Sequence, residues 1–180
     1  MSHVLVGVSA SAACFKAVAL CSQLTQDGHD VRAVLSRGAQ KLVTALQFSA
    51  VTGNRALTDE WQPEDPAGMD HIAVARWADV LVAAPASADR IGLFAQGLAP
   101  DLLGSIALAL EPGKPRLYAP AMNPVMWANP AVQRNVEQLE ADGWQRIGPV
   151  EGATACQEVG AGRMTEADEI AAAVARALGQ

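Results

Sequence analysis

One asparagine lies in a segment whose composition fits neither an ordinary loop nor an ordinary core segment. Residues 118–130 read YAPAMNPVMWANP and combine three prolines and two asparagines with apolar side chains. A plain loop would be more polar, and a buried segment would exclude most of these prolines and amides. The pattern predicts that the amide side chain of Asn123 is held in a fixed position against something large and flat.

Small or hydrogen-bonding residues follow four of the predicted strands. These strand ends carry Ser9 and Ser11, Ser36, Pro85-Ala86-Ser87, and Ala121-Met122-Asn123. Ligands of parallel sheets bind beyond the carboxyl ends of the strands, where helix N-termini favour anions such as phosphate. The alternative is that the serines only cap the helices that follow them.

Of the three histidines, one has a sequence context that favours chemistry. His3 and His29 precede predicted strands and are interpreted as structural. His71 follows a polar loop at 54–70 that is rich in proline and acidic residues, and long loops are often functional. The sequence leaves two interpretations of His71 open: a side chain that reaches into a site, or a cap or surface residue.

The three cysteines fit no metal-ligand spacing and no even disulfide framework, so no metal site is predicted. Cys14 and Cys21 lie seven residues apart on one helical pattern and are predicted to face the core. Cys156 lies in EGATACQEVGAGRM at 151–164, which is either a mobile flap with a reactive thiol or a loop with an incidental cysteine. Reduced thiols favour a cytoplasmic protein.

Composition and missing motifs exclude several classes of function. The chain has 180 residues, a net charge of −6 and a pI near 5.0, which argues against a nucleic-acid partner. No apolar run reaches the ~18–20 residues that span a bilayer, and the start MSHVLVGVSA shows no signal peptide. The turn after the first strand, GVSASAACFK, lacks the Gly-x-Gly-x-x-Gly fingerprint of NAD-binding proteins, and no Walker loop or Gly-x-Ser-x-Gly elbow is present.

Strand and helix patterns alternate along the whole chain, which predicts one α/β domain over residues 1–180 with a doubly wound parallel sheet. The hydrophobic share of 51% also suggests burial between subunits. Gly28 and Gly53 are predicted to end helices, Asn129 and Thr165 to cap them, and Pro100 to interrupt an apolar stretch. The predicted strands lie within 3–11, 29–39, 79–86, 114–123 and 144–150, and the predicted helices within 12–28, 39–53, 88–110, 129–143 and 165–178.

Four of these segments resemble the flavin-containing cysteine decarboxylases, in order and in spacing. They are PAMNPVMW at 120–127, PASAD at 85–89, HIAVARWAD at 71–79 and ACQEVGAGRM at 155–164. The resemblance implies a three-layer, flavodoxin-like fold that binds FMN at a subunit interface, in a homo-oligomer that is a trimer or a dodecamer. It covers nearly the whole chain.

The resemblance also implies a reaction and a role for each site residue. FMN takes a hydride from the β-carbon of a terminal cysteine, and the resulting thioaldehyde lets the carboxylate leave as CO₂. His71 would be the base, and Asn123 would hydrogen-bond the substrate carboxylate. The implied cofactor-binding residues are Ser9, Ser11, Ser36, Ala86, Ser87, Asp89 and Met122, and the implied substrate-binding residues are Asn123, Met126, Ala155, Arg163 and Met164.

Two substrates are compatible with the resemblance. A flap cysteine, here Cys156, implies reduction of the enethiol intermediate and thus phosphopantothenoylcysteine as substrate. Three departures oppose this: Ala10-Ser11 replaces a Gly-Gly turn, Pro100-Asp101 replaces Asn-Asp, and Asp89 replaces Asn. With no fused synthetase domain in the chain, the sequence slightly favours a peptide that ends in cysteine. Less favoured alternatives are a non-catalytic FMN-binding regulatory subunit and a flavin prenyltransferase.

Overall fold

A five-stranded parallel sheet forms the centre of the structure, a computed structural model that describes residues 1–63, 68–153 and 158–180. The strands are β1 (His3–Val8), β2 (Asp30–Leu35), β3 (Val80–Ala86), β4 (Arg116–Pro120) and β5 (Gln145–Arg146). Their order is β2-β1-β3-β4-β5, and every neighbouring pair is parallel. This order is that of flavodoxin-like folds, which confirms the predicted fold class.

Helices cover both faces of the sheet. They are α1 (Cys14–Gln26), α2 (Ala45–Thr52), α3 (Asp70–Trp77), α4 (Ala88–Ala95), α5 (Leu102–Ala109), α6 (Pro124–Trp127), α7 (Pro130–Ala141) and α8 (Ala167–Ala177). Val4, Val6 and Val8 of β1 point to one face and join the core formed with α1, α2 and α8. The intervening Leu5 joins the opposite core with α3, α4, α5 and α7. The predicted three layers therefore follow from the alternation of side chains along buried strands.

Most helix ends lie where the sequence predicts them. α2 ends at Gly53, whose φ of 71° is left-handed and free of strain only in a residue without a Cβ. The Asn129 side chain accepts a hydrogen bond from the Ala131 N–H at 2.9 Å, and Pro130 occupies the first helical position of α7. The apolar stretch 88–110 forms two helices separated around Pro100, as predicted.

Two local predictions are wrong. The single helix predicted over 39–53 is divided into a 3₁₀ turn at Ala39–Lys41 and α2, because Thr44 is extended and its N–H donates to the Gln47 side chain. Thr165 does not cap α8: Glu166 occupies that position, and the buried Thr165 hydroxyl donates to the Ile147 carbonyl.

A small antiparallel sheet follows the parallel one and was not predicted as strands. It pairs β6 (Val150–Ala153) with β7 (Val159–Arg163), a segment whose glycines hide its strand character. A Cβ on Gly162, which has a φ of 148°, would lie 2.4 Å from the Met122 carbonyl oxygen, and one on Gly160 would lie 3.0 Å from Pro124. These glycines therefore allow β7 to lie directly against the backbone that carries Asn123.

Candidate functional site

Two adjoining cavities open at the carboxyl edge of the parallel sheet. Their volumes are about 590 Å³ and about 470 Å³, within the range of small-ligand sites. Four residues line both cavities, namely Ala10, Ser87, Ala88 and Met126. The two spaces can therefore hold different parts of one elongated ligand. We name the larger one the amide cavity, after Asn123, and the smaller one the serine cavity.

Asn123 is fixed at the wall of the amide cavity by its position before α6. Its side-chain oxygen accepts hydrogen bonds from the N–H groups of Val125, at 2.7 Å, and Met126, at 3.4 Å. Its amide nitrogen donates to the carboxylate of Glu158, and Pro124 fixes the first helical position. The segment thus has the rigid amide that its composition predicts.

The small sheet forms a second wall of the amide cavity. The Met122 N–H donates to the Gly162 carbonyl at 2.9 Å, and Gly162, Arg163 and Met164 all line the cavity. Met164 has only 1% of its surface exposed because its side chain also belongs to the core, whereas Arg163 is exposed. The predicted substrate residues 163 and 164 are thereby brought beside Asn123.

Two cationic side chains and no carboxylate are among the described residues that line the amide cavity. Lys16, in the first turn of α1, donates to the Met164 carbonyl at 3.0 Å and to Glu166 at 2.8 Å. Arg163 donates to the same Glu166 carboxylate. The hydrogen bonds from Lys16 and then Arg163 lower the pKa of Glu166. Lys16 was not predicted as a site residue, because its only sequence signal is its place early in the helix that follows the first strand.

Three predicted serines act as helix or turn caps while their hydroxyls remain at the cavities. Ser11, Ser36 and Ser87 accept hydrogen bonds from the N–H groups of Ala13, Ala39 and Arg90, at 3.2, 3.2 and 3.3 Å. Within residues 1–63, 68–153 and 158–180 these hydroxyls donate to no protein acceptor, so each can donate to a ligand oxygen. The capping and ligand-binding interpretations are therefore compatible.

Ser9 differs from the other three serines. Its hydroxyl donates to the Pro85 carbonyl at 2.7 Å and accepts from the Ser87 N–H at 2.8 Å, and the residue is 2% exposed. These bonds join the ends of β1 and β3 beneath the serine cavity. Ala86 is also fully buried and lines neither cavity. Ser9 lines the serine cavity, but both of its hydrogen bonds are to the protein, so we expect Ser9 and Ala86 to act mainly by shaping the site.

A buried ion pair forms part of the floor of the serine cavity. The guanidinium of Arg90, which is 2% exposed, binds both carboxylate oxygens of Asp101, one of them at 3.0 Å. Burial alone raises the pKa of Asp101, but the hydrogen bonds and charge of Arg90 outweigh that effect, and the pKa is lowered. Asp89 and Arg37 are exposed at the rim of the same cavity. Arg37 and Arg90 were not predicted as site residues.

His71 is separated from the residues that line the two cavities. It lies in the first turn of α3, and its Nδ1 atom is 3.5 Å from a carboxylate oxygen of Glu60. Since α3 runs antiparallel to β3, which follows it directly, its N-terminus is directed toward the carboxyl edge of the sheet. Two other predicted site residues, Ala155 and Cys156, lie outside the described residues.

The described residues contain no group of three or more His, Cys, Asp or Glu side chains that could hold a metal ion. None of the helices in these parts of the chain has both the length and the apolarity needed to cross a bilayer.

Curated relatives of the chain are coenzyme A pathway proteins. It is 40% identical over 168 residues to the coenzyme A biosynthesis bifunctional protein CoaBC of Bacillus subtilis, but the chain spans only 41% of that protein. It is 35% identical over 167 residues to the probable phosphopantothenoylcysteine decarboxylase of Streptococcus mutans, which covers 93% of both chains.

Solved structures of two kinds of enzyme are similar to the chain over nearly all of its length. A PPC decarboxylase variant complexed with pantothenoylaminoethenethiol superposes with a TM-score of 0.88 at 33% identity, covering 99% of both chains. The FMN-dependent cysteine decarboxylase SpaF gives a TM-score of 0.84 at 33% identity, covering 99% of this chain and 98% of that one. The model of the Flavoprotein family matches residues 1–179, and the chain belongs to this family.

Proposed function

We propose that this chain is an FMN-dependent carboxy-lyase that decarboxylates a terminal cysteine. One observation carries the proposal: Met122, Asn123 and Met126 line a cavity that also holds two cations and adjoins a serine-lined cavity. The relatives in the Flavoprotein family, among them a named FMN-dependent cysteine decarboxylase, support the same reaction.

The residues present fit FMN. The outward hydroxyls of Ser11, Ser36 and Ser87 suit the phosphate and the ribityl chain, and the exposed Arg37 adds a positive charge at the rim. The cavity wall between the strand ends and α1 consists largely of short side chains, the alanines at positions 10, 12, 13, 88 and 121. These side chains leave room for a flat ring system beside Met122. Asp89, exposed at the rim of the serine cavity, would accept a hydrogen bond from a hydroxyl of the ribityl chain.

When bound, FMN supplies a two-electron acceptor for the hydride on the cysteine β-carbon. His71 takes the thiol proton, so that loss of hydride and proton converts the CH₂–SH group into a thioaldehyde. Asn123 orients the carboxylate, whose C–C bond electrons move into the thioaldehyde as CO₂ leaves, giving an enethiolate that a proton converts to the enethiol. Because the amide is locked by its cap to α6, the carboxylate meets a preorganised partner.

We propose phosphopantothenoylcysteine as the substrate, which revises the slight preference of the sequence analysis for a peptide. The Streptococcus mutans relative, of which this chain covers 93%, bears that substrate in its name, so a fused synthetase domain is not a requirement for that substrate. Lys16 and Arg163 in the amide cavity also suit a substrate that carries a phosphate as well as a carboxylate. When bound, reduced FMN would supply the two electrons that saturate the enethiol double bond, and Cys156 would help this reduction as the proposed proton donor.

A peptide that ends in cysteine is the second candidate. The similarity to SpaF, at 33% identity, is as high as that to the PPC decarboxylase variant, and this supports a related reaction on a peptide. In that case the enethiol would be the product, and molecular oxygen would be the oxidant needed to restore the flavin.

We also propose that the chain works as a homo-oligomer, a trimer or a dodecamer, in the cytoplasm. His71 lines neither cavity, so the base of one subunit can serve the cavities of its neighbour. Exposed apolar side chains near the amide cavity, those of Phe15, Val125 and Val159, would be covered by that neighbour. Co-expression of His71→Asn and Asn123→Asp chains would restore activity if the site is shared, and would leave both inactive if each subunit is complete.

Mass spectrometry of two parallel incubations tests the reaction and the substrate. The FMN-loaded protein is incubated with phosphopantothenoylcysteine in one and with a peptide ending in cysteine in the other, each beside an Asn123→Asp control. Loss of CO₂ alone from the first substrate is the expected result. Loss of CO₂ and two hydrogens from the peptide, with the first substrate unchanged, would favour the second candidate. No loss of CO₂ from either substrate would overturn the proposed function.

A further inference from the structure

We propose that Glu60 is the positioning residue of His71 and selects the tautomer in which Nε2 can accept a proton. This inference rests on the proposed function, in which His71 is the base. It starts from a contact between the polar loop and α3: a Glu60 carboxylate oxygen lies 3.5 Å from His71 Nδ1. Both side chains are partly buried, with 23% and 30% of their surfaces exposed.

The Nδ1 atom of His71 is the buried end of the imidazole. It has almost no contact with solvent and makes no hydrogen bond within the described residues. A buried nitrogen without a partner is unfavourable, so a proton on Nδ1 directed at the Glu60 carboxylate removes a penalty. The 3.5 Å separation is longer than a formed hydrogen bond, and such pairs commonly shorten when a substrate is bound.

The position of the proton on the imidazole decides which of its nitrogens can act as a base. In a neutral imidazole one nitrogen carries the proton and the other holds the lone pair. If the carboxylate fixes the proton on Nδ1, the lone pair is on Nε2, on the side of the ring away from Glu60. A carboxylate on the far nitrogen also stabilises the imidazolium that forms when the base takes a proton, as in other carboxylate–histidine pairs.

The surroundings of His71 oppose a positive charge on its imidazole, so the negative charge of the Glu60 carboxylate has an effect to compensate. His71 lies in the first turn of α3, where the partial positive charge of the helix N-terminus opposes an imidazolium. Asp70 and Glu60 are the acidic side chains next to it in the described structure, and Asp70 is buried with 4% exposure. An exposed ion pair would contribute little, whereas a partly buried carboxylate aimed at Nδ1 can set both tautomer and charge.

The tautomer can be measured without any turnover. We would record magic-angle-spinning ¹⁵N spectra of the FMN-loaded protein with ¹⁵N-labelled histidine, at about pH 8.5, where imidazole side chains are ordinarily neutral. The chain has three histidines, and the His71→Asn variant assigns the signals of His71 by their loss. The proton is expected on Nδ1 in the wild type and to leave Nδ1 in Glu60→Ala, with Glu60→Asp restoring it in part.

Kinetics of flavin bleaching give the second readout. Glu60→Ala should slow bleaching by the cysteine substrate about a hundredfold at unchanged KM and unchanged FMN affinity. Asp59→Asn is the matched control, because it removes a charge from the same loop but keeps the oxygen that accepts from the Trp61 N–H. It should leave both the tautomer and the rate unchanged.

The outcomes separate this inference from the proposed function. A wild-type His71 with its proton on Nε2, or a tautomer unaffected by Glu60→Ala, overturns the positioning role even if the protein decarboxylates cysteine. A rate lowered equally by Asp59→Asn would assign the effect to loop charge and overturn it as well. A wild-type protein that decarboxylates nothing overturns the proposed function, whatever the tautomer.

Discussion

The Met122 carbonyl oxygen lies 2.4 Å from the position that a Cβ on Gly162 would occupy. β7 and the backbone of the Asn123 segment are therefore closer than any side chain allows. The same residues are joined by the hydrogen bond from the Met122 N–H to the Gly162 carbonyl, at 2.9 Å. The position of the Asn123 amide thus depends on a glycine of the small antiparallel sheet.

Gly162→Ala should separate these two backbones and lower turnover at least about tenfold, because a displaced carboxylate partner no longer meets the substrate correctly. Stopped-flow measurement of flavin bleaching checks this. Gly143→Ala is the matched control: its φ of 86° is also unfavourable for alanine, but a Cβ there meets nothing within 4 Å. Equal losses of activity in both variants would show that backbone strain, and not the clash, is responsible.

Asn123→Asp should abolish turnover while FMN stays bound. The aspartate keeps an oxygen for the N–H groups of Val125 and Met126, so α6 stays capped, but it loses the donor to Glu158 and places a negative charge against the substrate carboxylate. We expect a loss of at least about a hundredfold, from the lost donor and the repulsion together. Visible absorbance reports FMN, and CO₂ release reports turnover. Normal CO₂ release would remove Asn123 from the reaction.

His71→Asn should give a yellow protein that neither bleaches nor releases CO₂ when substrate is added. The imidazole lines neither cavity, so FMN affinity should remain as in the wild type. Anaerobic titration with substrate, followed by flavin absorbance, makes the measurement. His29→Asn is the control, because His29 lies between α1 and β2, far along the chain from the polar loop. Bleaching at the wild-type rate would contradict a role of His71 as base.

Asp101→Asn should destabilise the fold by about 3 kcal/mol, because it leaves the buried guanidinium of Arg90 without its counter-charge. The asparagine oxygen can still accept from the Gly104 N–H, so the cap of α5 remains. Denaturant unfolding measures the change, and a double variant with Arg90→Met should recover most of the stability. A single variant as stable as the wild type would mean that the guanidinium is hydrated.

The difference in unfolding free energy between the wild type and Asp101→Asn should depend on pH, because the pKa of Asp101 is lowered in the folded protein. At pH values above about 3.9, the ordinary pKa of an aspartate, the carboxylate is ionised even in the unfolded chain. Its interaction with Arg90 then contributes fully to the stability of the fold. This contribution is lost as the pH falls through the lower pKa of the folded state. The stability gap between wild type and Asp101→Asn should therefore be constant from about pH 7 to 5 and narrow below about pH 4.

Cys156→Ser tests a prediction that comes from sequence alone, since Cys156 lies outside the described residues. If the cysteine takes part in reducing the enethiol, the variant should release an unsaturated product from phosphopantothenoylcysteine, two hydrogens lighter than that of the wild type. Mass spectrometry of the product decides this. Cys14→Ser and Cys21→Ser are poor controls because both thiols are buried, and an unchanged product from Cys156→Ser would show that this cysteine takes no part in the reaction.

Sequence patterns gave the sheet and its ligand edge because buried parallel strands are nearly continuous apolar runs, as in β3, where all seven residues are buried. The serines and Asn123 could be placed for the same reason, since they follow those runs directly. The sequence left capping and ligand binding as alternatives for the serines, whereas in the structure one hydroxyl can do both. The position of His71 relative to the cavities depends on the path of the polar loop, which carries no periodicity.

The features that could not be predicted from the sequence are those fixed by contacts between distant segments. β6 and β7 are rich in glycine because they lie close to other backbone, and this composition is atypical of strands. The pairing of Arg90 with Asp101 joins two helices and has no local signature. In the sequence Lys16 resembles any other helix residue, because its partner Glu166 lies far away, near the end of the chain.

Glu166 holds both cations of the amide cavity, Lys16 at 2.8 Å and Arg163 next to it. In the free protein this carboxylate occupies the electrostatic role that a substrate anion would otherwise fill. Lys16 and Arg163 carry two positive charges against the one negative charge of Glu166, so an incoming carboxylate or phosphate competes with Glu166 but still meets one net positive charge. Charge attraction and hydrogen-bond geometry at the rigid amide then act together in selecting an anion, and KM should rise with ionic strength.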